Sequence, residues 1–182
     1  MAIHPWKLLK STFVFQHKWY QLRRDEVQLA NGNVLDDYFV SVRPDVAVAF
    51  PLTPEKEVIM VRQYKHGAGK VLLELPGGVI DEGETSPESA MKRELLEETG
   101  YAPARTAHII TLHDNPTKDT NNIYGYFAYD VVKITEQHLD SSEDIEIVNI
   151  PLHDIRKMIS SGEINVANSV AICLLALDLL DQ

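Results

Sequence analysis

Apolar residues repeat every second position through much of residues 1–42, where Phe13 and Phe15 share a face and Tyr38, Val40 and Val42 recur two apart. That period predicts strands. Asn31-Gly32-Asn33 separates two such runs with residues that tolerate positive φ, so a hairpin turn is expected there. A few strands cannot bury a core alone, and this region must pack on the rest of the chain or on another subunit. Arg43-Pro44 reads as a boundary, because proline restricts both itself and its predecessor. The expected division is residues 1–42 and 43–182.

Past the boundary, strand and helix periods interleave. Val46 to Phe50 and Val58 to Gln63 read as strands around the turn Thr53-Pro54-Glu55-Lys56. Leu72 to Leu75, His108 to Leu112, Tyr124 to Val132 and Ile145 to Ile150 read as further strands, with a polar loop from Asp114 to Asn122. Ser86-Pro87 predicts a helix start, with Ser86 as N-cap, and Gly100 predicts its end. A short helix from Pro151 should stop at Ser160-Ser161-Gly162, and the last helix should run from Val166 to Leu180. The result is an α/β fold with helices on both faces of a mixed sheet.

Composition narrows the function. At 182 residues, with 45% hydrophobic residues, the chain is expected to be one main globular domain with a small appendage. The net charge of −10 argues against nucleic-acid binding, although a bound cation can reverse the local field for a small anionic substrate. Cys173 is the only cysteine, which excludes a disulfide framework and a cysteine zinc cluster. The N-terminal residues lack the apolar stretch of a signal peptide, and the apolar run from Val166 to Leu180 is interrupted and too short to span a bilayer. A cytoplasmic protein that does not enter the membrane is the expectation.

Two glycine-rich stretches bear on phosphate chemistry. His66-Gly67-Ala68-Gly69-Lys70 fails the phosphate-loop pattern, because Tyr64 stands where a glycine is needed and Val71 where Ser or Thr is needed. It reads as a strand connection. Leu75 to Tyr101 is different. Gly77-Gly78 allows close backbone approach, Glu82 and Glu84 precede the helix, and Glu94, Glu97 and Glu98 fall within roughly a third of its circumference. Like charges at these spacings repel, and negative charge near a helix C-terminus is unfavourable, so a bound cation would relieve both. Arg93 offers a fork to hold a carboxylate in place. Hard oxygen donors point to Mg²⁺ or Mn²⁺, ions that bridge to substrate phosphates.

Gly78, Glu84, Arg93-Glu94-Leu95, Glu97-Glu98 and Gly100-Tyr101 resemble the Nudix hydrolase motif, with one residue more between Glu84 and Arg93 than the motif has. The extra residue is expected to bulge at Thr85-Ser86 and leave the helix undisturbed. The resemblance implies a Nudix-type α/β/α sandwich, with Glu94 and Glu98 as principal metal ligands and Glu97 as ligand to a further ion. It also implies the Gly77 carbonyl as a ligand, with Glu84 and Arg93 shaping the site. Val61 to Lys65, followed by Glu74-Leu75-Pro76, is similar to the lead-in of ADP-ribose pyrophosphatases and nucleotide-sugar hydrolases. On that likeness Arg62, Lys65, Glu74 and Pro116 are expected at the substrate, with Lys65 standing where arginine is frequent. The general base in such enzymes comes from a loop before a late strand, which makes Glu143 the first candidate and Glu146 the second. Trp6, Trp19 and Tyr20 are candidates for stacking on a base or for sheet packing.

The resemblance implies Mg²⁺-dependent cleavage of the pyrophosphate of ADP-ribose, to AMP and ribose 5-phosphate, or of a related nucleotide sugar. It also implies a homodimer through the N-terminal strands. GDP-mannose hydrolysis and clearance of damaged nucleotides are alternatives, as is a nucleotide sensor that binds without turnover.

Overall fold

The protein is described by a computed structural model over residues 3–181. It divides into two compact units, one formed by Met1–Pro44 with His113–Asn121, the other by Asp45–Leu112 with Asn122–Gln182.

The first unit is an antiparallel meander of β1 (Lys7–His17), β2 (Tyr20–Gln28) and β3 (Val34–Val42). The expected turn at Asn31-Gly32-Asn33 closes the β2–β3 hairpin. Gly32 takes φ 87°, its N–H donates to Leu29 O at 2.9 Å, and the Asn33 N–H donates to Asn31 Oδ1 at 3.0 Å. Asp25 is buried within this sheet, accepting from Ser11 Oγ at 2.6 Å and Arg23 Nε at 3.0 Å. Most of the segment read as a plain polar loop, Asp114 to Asn122, belongs to this unit, which takes in His113–Asn121. Ser41 N donates to Lys118 O at 2.7 Å, and Tyr38 Oη donates to Thr117 O at 2.7 Å.

The second unit is built on a seven-stranded mixed sheet. Its main path runs β12 (Ile145–Pro151), β5 (Glu57–Lys65), β4 (Val46–Leu52), β10 (Ile123–Tyr129), β9 (Arg105–Leu112). Two short strands join it, β6 (Lys70–Glu74) on β5 and β7 (Gly77–Val79) on β4. The β4–β10 pair is parallel and the other pairs are antiparallel. A separate two-stranded pair joins β8 (Tyr101–Ala102) to β11 (Val132–Lys133).

The period-2 pattern of β4 sorts its side chains between two cores. Ala47 and Ala49 face the cluster that includes Met91 and Leu95 of α1 (Pro87–Thr99). Val48 and Phe50 face the cluster that includes Ile172, Cys173 and Ala176 of α3 (Ala167–Leu180). Ile155 of α2 (Ile155–Ser161) joins the latter. Helices therefore cover both faces of the sheet, as the interleaved periods predict. One predicted strand is shorter than expected. Tyr124 to Val132 breaks at Asp130, which takes φ 50°, and the chain turns there so that the Val131 N–H reaches Leu52 O at 3.0 Å.

Candidate metal and pyrophosphate site

Helix α1 begins where its sequence says it should. Ser86 has extended φ/ψ, its Oγ accepts from the Ser89 N–H at 3.1 Å, and Ser89 Oγ accepts from the Ser86 N–H at 3.2 Å. This reciprocal cap, with Pro87 next in the chain, sets the helix register. Gly100 ends it at φ 76°, and a Cβ there would collide with the Thr135 carbonyl.

Register decides which carboxylates go inward. Glu98 is 5% exposed, and its Oε2 accepts the Gly77 N–H at 2.9 Å. Burial pushes its carboxyl up to about 8, and this outweighs the Gly77 bond and the nearby Lys65 charge, which pull it down. Burial likewise raises Glu94, against the opposing pull of Arg93. The negative charge of Glu143 adds to the rise at both. Gly78 is the floor under Glu94. A Cβ on Gly78 would run into the Glu94 carboxylate, so the site needs a bare backbone at this position.

Arg93 ties the loop to the helix. Its Nε and Nη2 donate to the two oxygens of Glu84 at 3.2 and 3.1 Å, a fork-to-fork pair. Nη1 donates to Glu94 Oε1 at 2.8 Å and to Glu97 Oε2 at 2.9 Å, and Nη2 to Val79 O at 3.0 Å. Hydrogen bonding to Arg93 holds the Glu84 carboxyl below its usual range. Glu84 thus keeps its pairing with Arg93 despite the extra residue, and α1 runs unbroken from Pro87.

The flanking residues form two ion pairs across strands. Lys65 Nζ lies 2.7 Å from Glu74, which also accepts from Gln63 Nε2 at 3.0 Å. Arg62 donates to Glu146 at 2.6 Å, across the β5–β12 register. Glu143 sits in the acidic turn, where Asp140 and Glu143 exchange bonds of 2.9 and 3.0 Å. Pro116 lies in the first unit, on the 113–121 segment. Trp6 packs edge-on against Tyr38, with ring centroids 5.6 Å apart, also in the first unit.

Among the described residues no three acidic, histidine or cysteine side chains converge as a preformed cage. The donors still fit a hard divalent ion, which uses one or two carboxylates and takes its other oxygens from water and substrate phosphates. Glu98 is buried and Glu94 half-buried, and the loss of water that raises both carboxyls is a cost a cation would offset.

A sequence model of the NUDIX domain matches residues 42–168. The chain belongs to the Nudix family. Residues 6–41 match a second model, the nucleoside diphosphate sugar hydrolase N-terminal domain. An ADP-ribose pyrophosphatase of Bacillus subtilis is 28% identical over 159 residues, covering 87% of this chain and 85% of that protein. A GDP-mannose pyrophosphatase of Yersinia pestis is 29% identical over 121 residues, covering 62% of this chain and 60% of that protein. A methanol dehydrogenase activator of Bacillus methanolicus is 27% identical, covering 90% of this chain and 88% of that protein. The crystal structure of an ADP compounds hydrolase superposes with a TM-score of 0.87 at 22% identity, over 100% of this chain and 97% of that one. That likeness speaks to the fold. Nudix enzymes generally use a divalent metal, in keeping with the buried Glu98 and half-buried Glu94 of α1.

Two supporting residues have little signal in the sequence. Ser169 is buried, and its Oγ accepts the Leu75 N–H at 3.0 Å, anchoring α3 to the strand end that leads to Gly77. Its only trace is a polar break in an otherwise apolar run. Gln137 lies in a stretch with no period at all, and its side-chain amide donates to the Glu98 and Ile145 carbonyls.

Proposed function

We propose that this Nudix protein hydrolyses the pyrophosphate bond of a nucleoside diphosphate linked to a second moiety, with ADP-ribose first and nucleotide sugars such as GDP-mannose next. The observation that carries the reading is the carboxylate pair of half-buried Glu94 and buried Glu98, set against Gly77-Gly78, with Arg93 bonded to Glu94. The names of the ADP-ribose and GDP-mannose pyrophosphatases among its relatives point to the same bond.

Mg²⁺ is the proposed metal, held by Glu94 and Glu98 with help from Glu97 and the Gly77 carbonyl, and it would neutralise phosphate charge and activate water. Glu143 is the proposed general base, taking a proton from the attacking water as the oxygen adds to one phosphorus and the bridging oxygen leaves. For ADP-ribose the products are AMP and ribose 5-phosphate. Glu146 is the weaker candidate, because its charge is engaged by Arg62 at 2.6 Å. Arg62 and Lys65, steadied by Glu146 and Glu74, are the proposed phosphate contacts. Pro116 is proposed to border the sugar.

We further infer a cytoplasmic homodimer assembled through residues 1–42, whose exposed Leu8, Phe13, Phe15 and Trp19 need a cover. The test is a substrate panel of ADP-ribose, GDP-mannose and damaged nucleoside triphosphates, with and without Mg²⁺, with every product identified. Mg²⁺-dependent release of two monophosphates from ADP-ribose is expected. Tight ADP-ribose binding by calorimetry without turnover would instead identify a sensor.

A further inference from the structure

One side-chain amide joins the two parts of the second unit that supply the metal ligands and the base. Gln137 is half-buried in the segment that crosses the C-terminal end of α1. Its Nε2 donates to the Glu98 carbonyl at 2.6 Å and to the Ile145 carbonyl at 3.2 Å. The first acceptor is one of the last carbonyls of α1, which lack a partner within the helix. The second opens β12, directly after the acidic turn. A glutamine amide has two N–H donors, and both are used here.

The backbone around Gln137 is fastened to the last turn of α1 and to its C-cap, Gly100. Ile134 N and Thr135 N donate to Gly100 O at 2.9 and 3.3 Å, and His138 N donates to Glu97 O at 2.9 Å. Strand β12 is fixed separately by its pairing with β5, from Ile145 onward. Between these two anchors run residues 138–144, including Glu143, whose bonds to Asp140 lie within the turn itself. The Gln137 amide therefore clamps the two ends of this turn together and binds them to the helix end that carries Glu98.

We propose that Gln137 is a positioning residue that holds the turn bearing Glu143 at working distance from the Glu94 and Glu98 carboxylates. It rests on the reading of Glu143 as general base. Misplacing a reacting group by about 1 Å can cost on the order of 100-fold in rate, and the loss falls on the chemical step.

Gln137→Met keeps the length of the side chain and removes both donors. Assayed with Mg²⁺ and whichever of ADP-ribose and GDP-mannose the wild type cleaves faster, it should lose about 10- to 100-fold in kcat. Its KM and Mg²⁺ half-saturation should stay within about threefold of wild type, a split that general loosening of the fold does not produce. Gln137→Glu, which also lacks the donors, should repeat the loss and serves if the Met variant does not fold. Glu143→Gln should be slow alone, and adding Gln137→Met to it should cost nothing further, because the clamp has no base left to place. A slow Glu143→Gln enzyme beside a Gln137→Met enzyme of wild-type kcat overturns the clamp and leaves the base standing. So does a Gln137→Met loss of equal size in both backgrounds, or one shared by KM and metal half-saturation. A Glu143→Gln enzyme of near-wild-type kcat overturns the base assignment itself, and the clamp with it.

Discussion

Strands β1 and β4 each carry large apolar residues, yet six of the seven residues of β4 are buried and all eleven of β1 are exposed. The difference lies in what covers them. Strand β4 is paired on both edges and covered on both faces, with α1 over Ala47 and Ala49 and α3 over Val48 and Phe50. Strand β1 is the edge of a three-stranded sheet, and among the described residues it pairs only with β2 and no helix of its own unit lies over it. The larger unit is thus a complete core that can hold a carboxylate such as Glu98 out of water. The smaller one is an unfinished layer, with an apolar surface that suits assembly.

The comparison is sharpened most by Phe127→Ala. Phe127 is fully buried, edge-on to Phe50 at 5.1 Å and stacked on Tyr129 at 3.8 Å. Its truncation should cost about 3–5 kcal/mol of unfolding free energy, read by chemical denaturation. A cost below about 1 kcal/mol would mean that the larger unit does not have the close-packed core described here.

Glu98→Gln probes what that core does to charge. If Glu98 holds the metal as proposed, activity should fall at least about 100-fold, no less than for groups that only orient a ligand. The effect on stability should run the other way. In protein stripped of divalent ions the Glu98 carboxyl is raised from 4.5 to about 8 by burial. The unfolded chain ionises first, so the stability this group provides is full below about 4.5 and is lost as pH rises through about 8. Stripped Glu98→Gln protein should lack that decline, and thermal melts between these limits will show whether it does.

Gly78→Ala is a milder cut at the same place. The new methyl would meet the flexible end of Glu94, not backbone, so the carboxylate gives way. Mg²⁺ half-saturation should rise about 10- to 100-fold while stability changes by less than about 1 kcal/mol. Unchanged Mg²⁺ dependence would remove Glu94 from the metal's ligands.

The same contrast explains what the sequence made legible. Buried strands written as unbroken apolar runs, such as β4, and a helix with both caps spelled out, such as α1, announce themselves through short-range pattern. Strands β7, β8 and β11 are two or three residues long, too short to carry a period. The attachment of residues 113–121 to the N-terminal sheet depends on contacts such as Tyr38 with Thr117, 79 positions apart, which no local pattern encodes. In the site, the motif named Glu84, Arg93, Glu94, Glu97 and Glu98 as a set. It did not say that Arg93 would span Glu84, Glu94 and Glu97 together, or that Glu98 would be the buried one. Those outcomes follow from the register of α1 against β7, which is a tertiary fact.

The smallest effect on the folded chain is expected from Phe13→Ala in β1, and it tests the unfinished layer directly. Phe13 is 45% exposed, so the separated subunit should lose no more than about 0.5 kcal/mol. If the exposed face is the dimer surface, the cost should fall on association instead. Sedimentation should then show a weaker dimer, with each tenfold rise in dissociation constant marking about 1.4 kcal/mol lost between subunits. Melting temperature should depend on protein concentration in the wild type, and less so in the variant as it dissociates. Should Phe13→Ala instead destabilise the protein by several kcal/mol at every concentration, β1 would belong to a core within one chain. The contrast between the two sheets would then be one of degree.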